Sequence, residues 1–183
     1  MKKIKEFFKI KYTKSKSKIY EISIICFMID LFIKFLVKTK LTPLKEYEII
    51  PNFFYICFVK NDGGAFSILR GKVWLLSLVG IIMLFFLDKY ISNLKKPHKL
   101  EKISLGLIIG GIIGNLFDRL IYHGVIDYLL FKFGSYNYPV FNLADSFIVI
   151  GIILYLIYLI FIERNNKDDS RGRKHKNWYI FIK

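Results

Sequence analysis

The chain alternates between long apolar blocks and shorter charged segments. At 1.5 Å per residue, about 19 helical residues reach roughly 28 Å, which is close to the thickness of the hydrocarbon core of a bilayer. Four blocks approach or exceed this length, the second when Tyr90 and Ile91 extend it: Ile19 to Val37, Val73 to Leu87, Ile103 to Ile121 and Phe141 to Ile162. The pattern therefore predicts four transmembrane helices in one polytopic domain.

The segment between the first two blocks has a different character, because Pro43 and Pro51 interrupt it and charged residues keep it polar. Within it, Asn52 to Val59 is rich in aromatic and β-branched residues, which is typical of short strands. Asn61 to Gly64 is a turn signal. We therefore expect a small β-structure between the first and second helices. Tyr122 to Val140, between the third and fourth blocks, is expected to be a short loop.

Composition agrees with a membrane protein. Hydrophobic residues make up 54% of the 183 positions, and the mean hydropathy is +0.40. The formal net charge of +15 is a signal that can indicate nucleic-acid binding. Here, however, the lysines and arginines flank the apolar blocks, and positive charge beside spans sets membrane orientation. We therefore expect membrane lipids, and no nucleic acid, as partners.

Lysine and arginine are concentrated in the amino-terminal arm, the loop around Lys95 and the tail after Glu163. Four spans place all three segments on one side, which the positive-inside rule identifies as the cytoplasm. The expected organisation is a basic arm at residues 1–18, a membrane domain at 19–162 and a basic tail at 163–183. Residues 41–71 then form an extracytoplasmic loop.

Polar and ionisable side chains interrupt the apolar blocks, and at membrane depth such groups are costly enough to indicate function. Because the third helix runs outward and the fourth runs inward, the end of one and the start of the other meet at the outer interface. The side chains expected there are Asn115, Asp118, Arg119, Asp127, Asn142 and Asp145.

Two pairs have simpler interpretations. Asp118 and Arg119 are adjacent, and we expect mainly a structural ion pair between them. Asp30 and Lys34 have the i, i+4 spacing of a same-face pair and are expected to neutralise each other, deeper than the outer cluster. Asp127 differs, because no adjacent residue neutralises it.

Asp127 and Asp145 come from different elements and can approach each other at that interface. Close carboxylates share one proton, so the ionised member can activate water while the protonated member polarises a carbonyl. This is the chemistry of an aspartic peptidase. The sequence offers neither a grouped serine, histidine and acid nor His or Cys residues at metal-ligand spacing, so we expect no metal and no cofactor.

Four motifs in this order resemble the signature blocks of the lipoprotein signal peptidase family, also called signal peptidase II. Asp30 with Lys34 also matches the first-helix pattern of the family, and the resemblance covers about Ile19 to Ile162. The four motifs are Asn61-Asp62-Gly63-Gly64-Ala65-Phe66-Ser67, Gly110-Gly111-Ile112-Ile113-Gly114-Asn115-Leu116-Phe117-Asp118-Arg119, Gly124-Val125-Ile126-Asp127 and Phe141-Asn142-Leu143-Ala144-Asp145-Ser146.

The resemblance implies a bacterial inner-membrane aspartic peptidase that acts on prolipoproteins, cutting before a cysteine that carries diacylglycerol. It implies that Asp127 and Asp145 are the catalytic pair and that residues 41–71 form a small periplasmic sheet that cradles substrate. The chain is expected to act as a monomer. Gly64 departs from the family, which usually has alanine there. Further positions match supporting polar residues of the family: Asp30, Asn61, Asn115, Asp118, Arg119 and Asn142.

Two alternatives remain open from the residues themselves. A small transporter or channel would explain the intramembrane charges and the glycines Gly110, Gly111 and Gly114, although these glycines equally favour close helix packing. The sequence lacks the internal repeat and the broken helix at mid-depth that transporters often show. A membrane scaffold without enzymatic activity would leave the outer acids unexplained.

The predicted topology can be tested by cysteine accessibility. Tyr136→Cys should react with a membrane-impermeant reagent added to intact cells, whereas Lys96→Cys should not, because the positive-inside rule places the Lys95 loop in the cytoplasm. Labelling of Lys96→Cys from outside would contradict this topology.

Overall fold

The structure, a computed structural model, describes residues 14–64 and 68–163. Most of the predicted basic arm, the motif residues Ala65 to Ser67 and the tail after Glu163 lie outside the described residues. The elements, in chain order, are α1 (Lys14–Lys40), β1 (Tyr47–Ile50), β2 (Phe54–Asn61), α2 (Val73–Asn93), α3 (Lys99–Tyr122), β3 (Val125–Phe133), β4 (Tyr136–Asn137) and α4 (Leu143–Ile157), which continues as a π-helical turn (Tyr158–Glu163).

Each predicted apolar block lies in a helix, but the blocks differ in how well they suit a bilayer. By length and composition, α2, α3 and the stretch Leu143–Phe161 could cross a membrane. In α1, every stretch of 18 residues carries at least three charged side chains, and Asp30 is always among them. The described chain is therefore mainly helical with three candidate spans and a small antiparallel sheet, and the fourth span stays a prediction.

Helix α3 is largely buried, whereas α2 and α4 expose most of their apolar surface. Glycines let its neighbours approach closely. A methyl group at Gly106 would lie 2.6 Å from the Ile22 side chain, and one at Gly110 would lie 2.6 Å from Cys26 Cβ. A methyl at Gly111 would overlap the carbonyl oxygen of Ala144 on α4. The interpretation of Gly110 and Gly111 as packing residues is confirmed, and it holds for Gly114 too, where a methyl group would overlap the Asp30 side chain. Helix α3 is the central helix.

The sheet has the strand order β1-β2-β3-β4 and is antiparallel throughout. Strands β1 and β2 confirm the predicted β-structure between the first two helices. The prediction of a loop over 122–140 is wrong, because Val125–Phe133 forms the long strand β3. Its buried apolar side chains, such as Ile126 and Tyr128, pack against α1 and α3 neighbours, and its backbone pairs with β2 across a separation of about 70 residues.

Pairing between β2 and β3 sets the position of Asp127. Asn61 pairs with Val125 and Val59 pairs with Asp127, and the register shifts between Ile56 and Val59. Such a bulge bends the strand and re-aims a neighbouring side chain. The end of β2 therefore lies beside Asp127.

Close helix packing can be tested at a glycine away from the polar residues. Gly110→Ala should lower the free energy of unfolding by about 1–3 kcal/mol, because its methyl group would press on Cys26 and on the carbonyl oxygen of Ser23 at 2.8 Å. Gly80→Ala is the matched control, since the nearest atoms to its methyl lie at 3.8 and 3.9 Å. Unfolding in detergent should show no loss for Gly80→Ala, and equal stability of the two variants would contradict the packing.

Candidate active site

Asp127 is buried on β3 between two side-chain amides. Its Oδ2 accepts a hydrogen bond from Asn61 Nδ2 at 2.8 Å, and its Oδ1 accepts one from Asn142 Nδ2 at 2.7 Å. Asn61 is held by the turn that follows β2, because its Oδ1 accepts from the backbone N–H of Gly63 at 2.9 Å. Both oxygens of Asp127 thus have fixed donors.

Asp145 is held by the amino terminus of α4. Asn142 caps this helix: its Oδ1 accepts from the Asp145 N–H at 3.0 Å, and Asp145 Oδ2 accepts from the Asn142 N–H at 3.2 Å. This reciprocal pair is a capping box, and the helix terminus favours the negative charge. Asp145 Oδ1 accepts from Asn115 Nδ2 at 2.7 Å.

The two carboxylates are linked through amides. Asn142 Nδ2 donates to Asp127 Oδ1 and also to Asn115 Oδ1, at 3.1 Å, while Asn115 donates to Asp145. Both aspartates line one cavity of about 900 Å³. Its wall is mainly apolar, with a few polar groups that converge, as in sites that bind an organic ligand or peptide. The polar groups include Asn61, Asn115, Arg119, Asp127 and Asp145, and the apolar ones Val59, Phe131, Phe141, Ile148 and Val149.

Lys34 lies behind this cluster, with a side chain that is 2% exposed. Its Nζ lies 2.8 Å from Asp30 Oδ2, 3.0 Å from Asp118 Oδ2 and 3.1 Å from Asn115 Oδ1. The expected pair with Asp30 is confirmed. The pair is part of a larger network, however, because the same ammonium also contacts Asp118 and Asn115 on α3.

The expected ion pair between Asp118 and Arg119 is wrong. Adjacent residues on a helix point in different directions, so Asp118 faces Lys34 on α1 while Arg119 faces the cavity. In the part of the chain that the structure describes, no ion pair joins Arg119 to a carboxylate. Its Nη1 donates to the carbonyl oxygen of Asn115 at 3.4 Å.

The expectation that Asp30 lies apart from the outer cluster is also wrong. Its Oδ1 accepts from the backbone N–H of Ala144 at 3.0 Å, at the start of α4. Asp118 Oδ2 accepts from the N–H of Ile126 at 3.0 Å, at the start of β3. All eight residues singled out in the sequence therefore meet in one network or line its cavity.

Lys34 is the residue that sequence reasoning left out of the site. Its signal was present, since a lysine inside an apolar block is expensive. Because Asp30 lies at the i, i+4 spacing, it alone was enough to explain how the charge of Lys34 is neutralised. Nothing in the neighbouring sequence indicated the contact with Asn115, which is 81 positions away. Across residues 14–64 and 68–163, no group of three or more His, Cys, Asp or Glu side chains is arranged to hold a metal ion.

Burial raises the pKa of Asp127 to about 7 from its ordinary 3.8, and the nearby charge of Asp145 acts in the same direction. The hydrogen bonds from Asn61 and Asn142 and the positive charge of Lys34 act in the opposite direction and lower this pKa. Asp127 can therefore change its protonation state near neutral pH, as a general acid or base requires.

Known proteins resemble this chain over most of its length. A model of the family described as signal peptidase (SPase) II matches residues 22–161. The chain is 35% identical over 143 residues to a lipoprotein signal peptidase of Symbiobacterium thermophilum, which covers 78% of this chain and 94% of that protein. It is 33% identical over 148 residues to a lipoprotein signal peptidase of Listeria monocytogenes serotype 4a, covering 81% and 96%.

Solved structures resemble the fold as well. The chain is similar to a structure described as a bacterial membrane enzyme obtained by the in meso method, with a TM-score of 0.73 and 28% identity over 88% of this chain and 94% of that one. A second structure with the same description has a TM-score of 0.71 and 28% identity over 80% and 94% of the two chains.

The pKa of Asp127 predicts how stability depends on pH. A carboxyl whose pKa is raised on folding contributes stability that is present below its unfolded pKa and lost as pH rises through about 7. Asp127→Asn does not titrate. The free energy of unfolding of this variant should therefore rise relative to that of the wild type between about pH 4 and pH 7, by roughly 4 kcal/mol. Above about pH 7 the difference between the two proteins should stay constant.

Glu48→Gln is the control for this measurement. Hydrogen bonds from the Asn52 N–H and the Tyr55 hydroxyl hold the pKa of Glu48 below its ordinary 4.5. Its difference from the wild type should therefore be flat from about pH 5 to pH 7. Denaturant unfolding in detergent across this range gives both curves, and a flat curve for Asp127→Asn would contradict the raised pKa.

Proposed function

The chain belongs to the signal peptidase II family, and on that premise we propose that Asp127 and Asp145 are its catalytic pair. As a member of this family it is a membrane-bound aspartic peptidase that removes signal peptides from prolipoproteins. The observation that carries the proposal is the chain of amides, Asn142 and Asn115, that joins the two carboxylates at the wall of one cavity.

The two carboxylates differ in the way that the reaction requires. Asp145 lies in the first turn of α4 and accepts hydrogen bonds on both oxygens, from Asn115 and from the Asn142 N–H, so it is held in place to act as the base. Asp127 is more deeply buried, and its pKa of about 7 favours it as the carrier of the proton that the pair shares. The pair titrates as a unit, so a pH profile of activity reports both groups together.

In the proposed reaction, Asp145 takes a proton from a water molecule as the water oxygen attacks the carbonyl carbon of the scissile peptide bond. Asp127 donates its proton to the carbonyl oxygen, which gives a tetrahedral intermediate with two hydroxyl groups. Asp145 then gives its proton to the leaving nitrogen, the C–N bond breaks, and Asp127 recovers a proton from a hydroxyl group. The protons balance, and the pair returns to its starting state.

Arg119 has a separate role in this proposal. Arg119 lines the same cavity as Asp127 and Asp145. A cation at this position favours negative charge that develops on substrate oxygen atoms. Asn61 and Asn142 hold Asp127 in place, and Asn115 holds Asp145.

We extend the proposal to the membrane. Four helices cross the inner membrane of a bacterium, both termini are cytoplasmic, and the sheet lies on the outer face, where a monomer cuts before a diacylglyceryl-modified cysteine. The Lys and Arg asymmetry supports the orientation. The mainly apolar wall of the cavity supports a lipidated substrate. Family membership leaves the transporter alternative without support.

Asp→Asn substitutions test the catalytic pair. Asp127→Asn and Asp145→Asn should each lower kcat for a lipidated prolipoprotein by roughly 10²–10⁴-fold or more, because neither carboxylate can act as base and acid at once. The double variant should be scarcely worse than either single one, since the two groups act as a unit. Both single variants should fold. In Asp127→Asn one of the two amides loses its acceptor, at a cost of about 1–3 kcal/mol.

Asp88→Asn is the matched control. Asp88 accepts a hydrogen bond from the Tyr20 hydroxyl at 2.6 Å, away from the cavity, and its variant should cleave at the wild-type rate. Signal-peptide release is followed by gel mobility or mass spectrometry. Near-normal turnover by folded Asp127→Asn or Asp145→Asn would refute the catalytic pair.

A further inference from the structure

We propose that Lys34 is a positioning residue of this site: three buried contacts of its ammonium group hold the two catalytic carboxylates in their relative arrangement. The inference rests on the proposed function of Asp127 and Asp145. Lys34 lines no part of the cavity, so it acts through other residues and does not touch substrate.

All of the hydrogen-bonding capacity of Lys34 is engaged inside the protein. An ammonium has three N–H donors. The three atoms within reach are Asp30 Oδ2, Asp118 Oδ2 and Asn115 Oδ1, at 2.8, 3.0 and 3.1 Å. At 2% exposure, no solvent competes for these contacts. The ammonium therefore has a single geometry, set by one partner on α1 and two on α3.

Two of the contacts continue to the residues directly before the catalytic pair. Asp118 accepts from the N–H of Ile126, which precedes Asp127 on β3. Asp30 accepts from the N–H of Ala144, which precedes Asp145 on α4. One cation thus ties together the backbone segments that carry both carboxylates, although these segments belong to different elements.

The third contact fixes an amide orientation. Asn115 Oδ1 accepts from both Lys34 Nζ and Asn142 Nδ2, so its Nδ2 must face Asp145 Oδ1, at 2.7 Å. The flipped amide would set its N–H groups against two donors. Because Lys34 enforces this orientation, Asp145 Oδ1 always meets a donor.

The fold makes room for this arrangement. A methyl group at Gly114 on α3 would overlap the Asp30 carboxylate and would lie 3.3 Å from Ala144 Cβ. Asp30 and Asp118 are each 1% exposed, so an ammonium between them is also what keeps two buried carboxylates close together. Loss of the cation should disturb the geometry, and a test must separate that effect from loss of charge balance.

Charged groups from every neighbouring element lie around Lys34 and the catalytic carboxylates. They are Asp30 from α1, Asp118 and Arg119 from α3, Asp127 from β3 and Asp145 from α4. Among them, the positive charge of Lys34 lowers the pKa of Asp127. Without Lys34, Asp127 should keep its proton to higher pH. Because Asp127 acts as the acid in the proposed reaction, the alkaline limb of the cleavage profile should move to higher pH.

The test is Lys34→Met in the full chain, assayed with a lipidated prolipoprotein across pH. We expect kcat to fall roughly 10- to 100-fold, as for other residues that orient reactive groups, with KM little changed. The alkaline limb should move to higher pH. Lys16→Met is the matched control: Lys16 lies on the same helix, is also buried, and donates to the carbonyl oxygen of Ser92 at 2.7 Å. It should keep the wild-type kcat and pH profile, whatever its stability.

A second variant separates positioning from charge balance. Lys34→Met combined with Asp30→Asn removes one negative charge together with the cation, and the amide oxygen introduced at position 30 can still accept from the Ala144 N–H. Positioning predicts that this protein folds and keeps the low kcat, even if restored charge balance moves the alkaline limb back towards its wild-type pH. Recovery of the wild-type kcat would overturn the inference. Failure of both Lys34 variants to fold, while Lys16→Met folds, would also overturn it in favour of a purely structural lysine.

The experiments distinguish a failure of the proposed function from a failure of the inference about Lys34. If the wild type does not cleave, or if Asp127→Asn and Asp145→Asn still cleave, the catalytic pair is wrong whatever Lys34→Met does. If cleavage depends on both aspartates and Lys34→Met keeps the wild-type kcat and pH profile, only the inference about Lys34 is overturned.

Discussion

Charged side chains removed from water must find partners, and this constraint organises the polar part of the molecule. Lys34 meets it with two carboxylates and an amide, from Asp30, Asp118 and Asn115. Each partner then makes a second contact with α4 or β3. Breaking a buried pair leaves an unpaired charge, which costs roughly 3–5 kcal/mol. The network therefore connects α1 and α3 to α4 and β3, and the candidate site forms where these elements meet.

Such a network needs helices that approach closely, and the glycines of α3 provide that approach. Gly110 and Gly114 face α1, and Gly111 faces α4. A methyl group at these positions would overlap or press on the neighbouring helix, so short polar side chains could no longer reach across. The apolar exteriors of α2 and α4 suit a lipid environment, where close packing and interhelical hydrogen bonds stabilise a bundle in place of the hydrophobic effect.

The sheet supplies the other half of the site. Strand β3 follows α3 directly, and its pairing with β2 brings Asn61 beside Asp127, while the cap of α4 brings Asn142 to the opposite oxygen. Asp127 is thus held by groups from two different elements before any substrate arrives. Preorganised donors of this kind need little rearrangement during reaction, which is how a small membrane protein can perform acid–base chemistry.

The sequence by itself determined the four helices, the strand region after the first of them and, apart from Lys34, the polar residues that meet, because the length of an apolar block and a costly intramembrane charge are local signals. It also indicated the family, through short motifs in order. Only the tertiary structure decided that 125–133 is a strand, since β3 depends on pairing with β2 far away along the chain. Likewise, Asp118 binds Lys34 and not its neighbour Arg119, and Lys34 reaches Asn115 across 81 positions. Partners of this kind are chosen by which helix faces meet, and no local pattern along the chain records that choice.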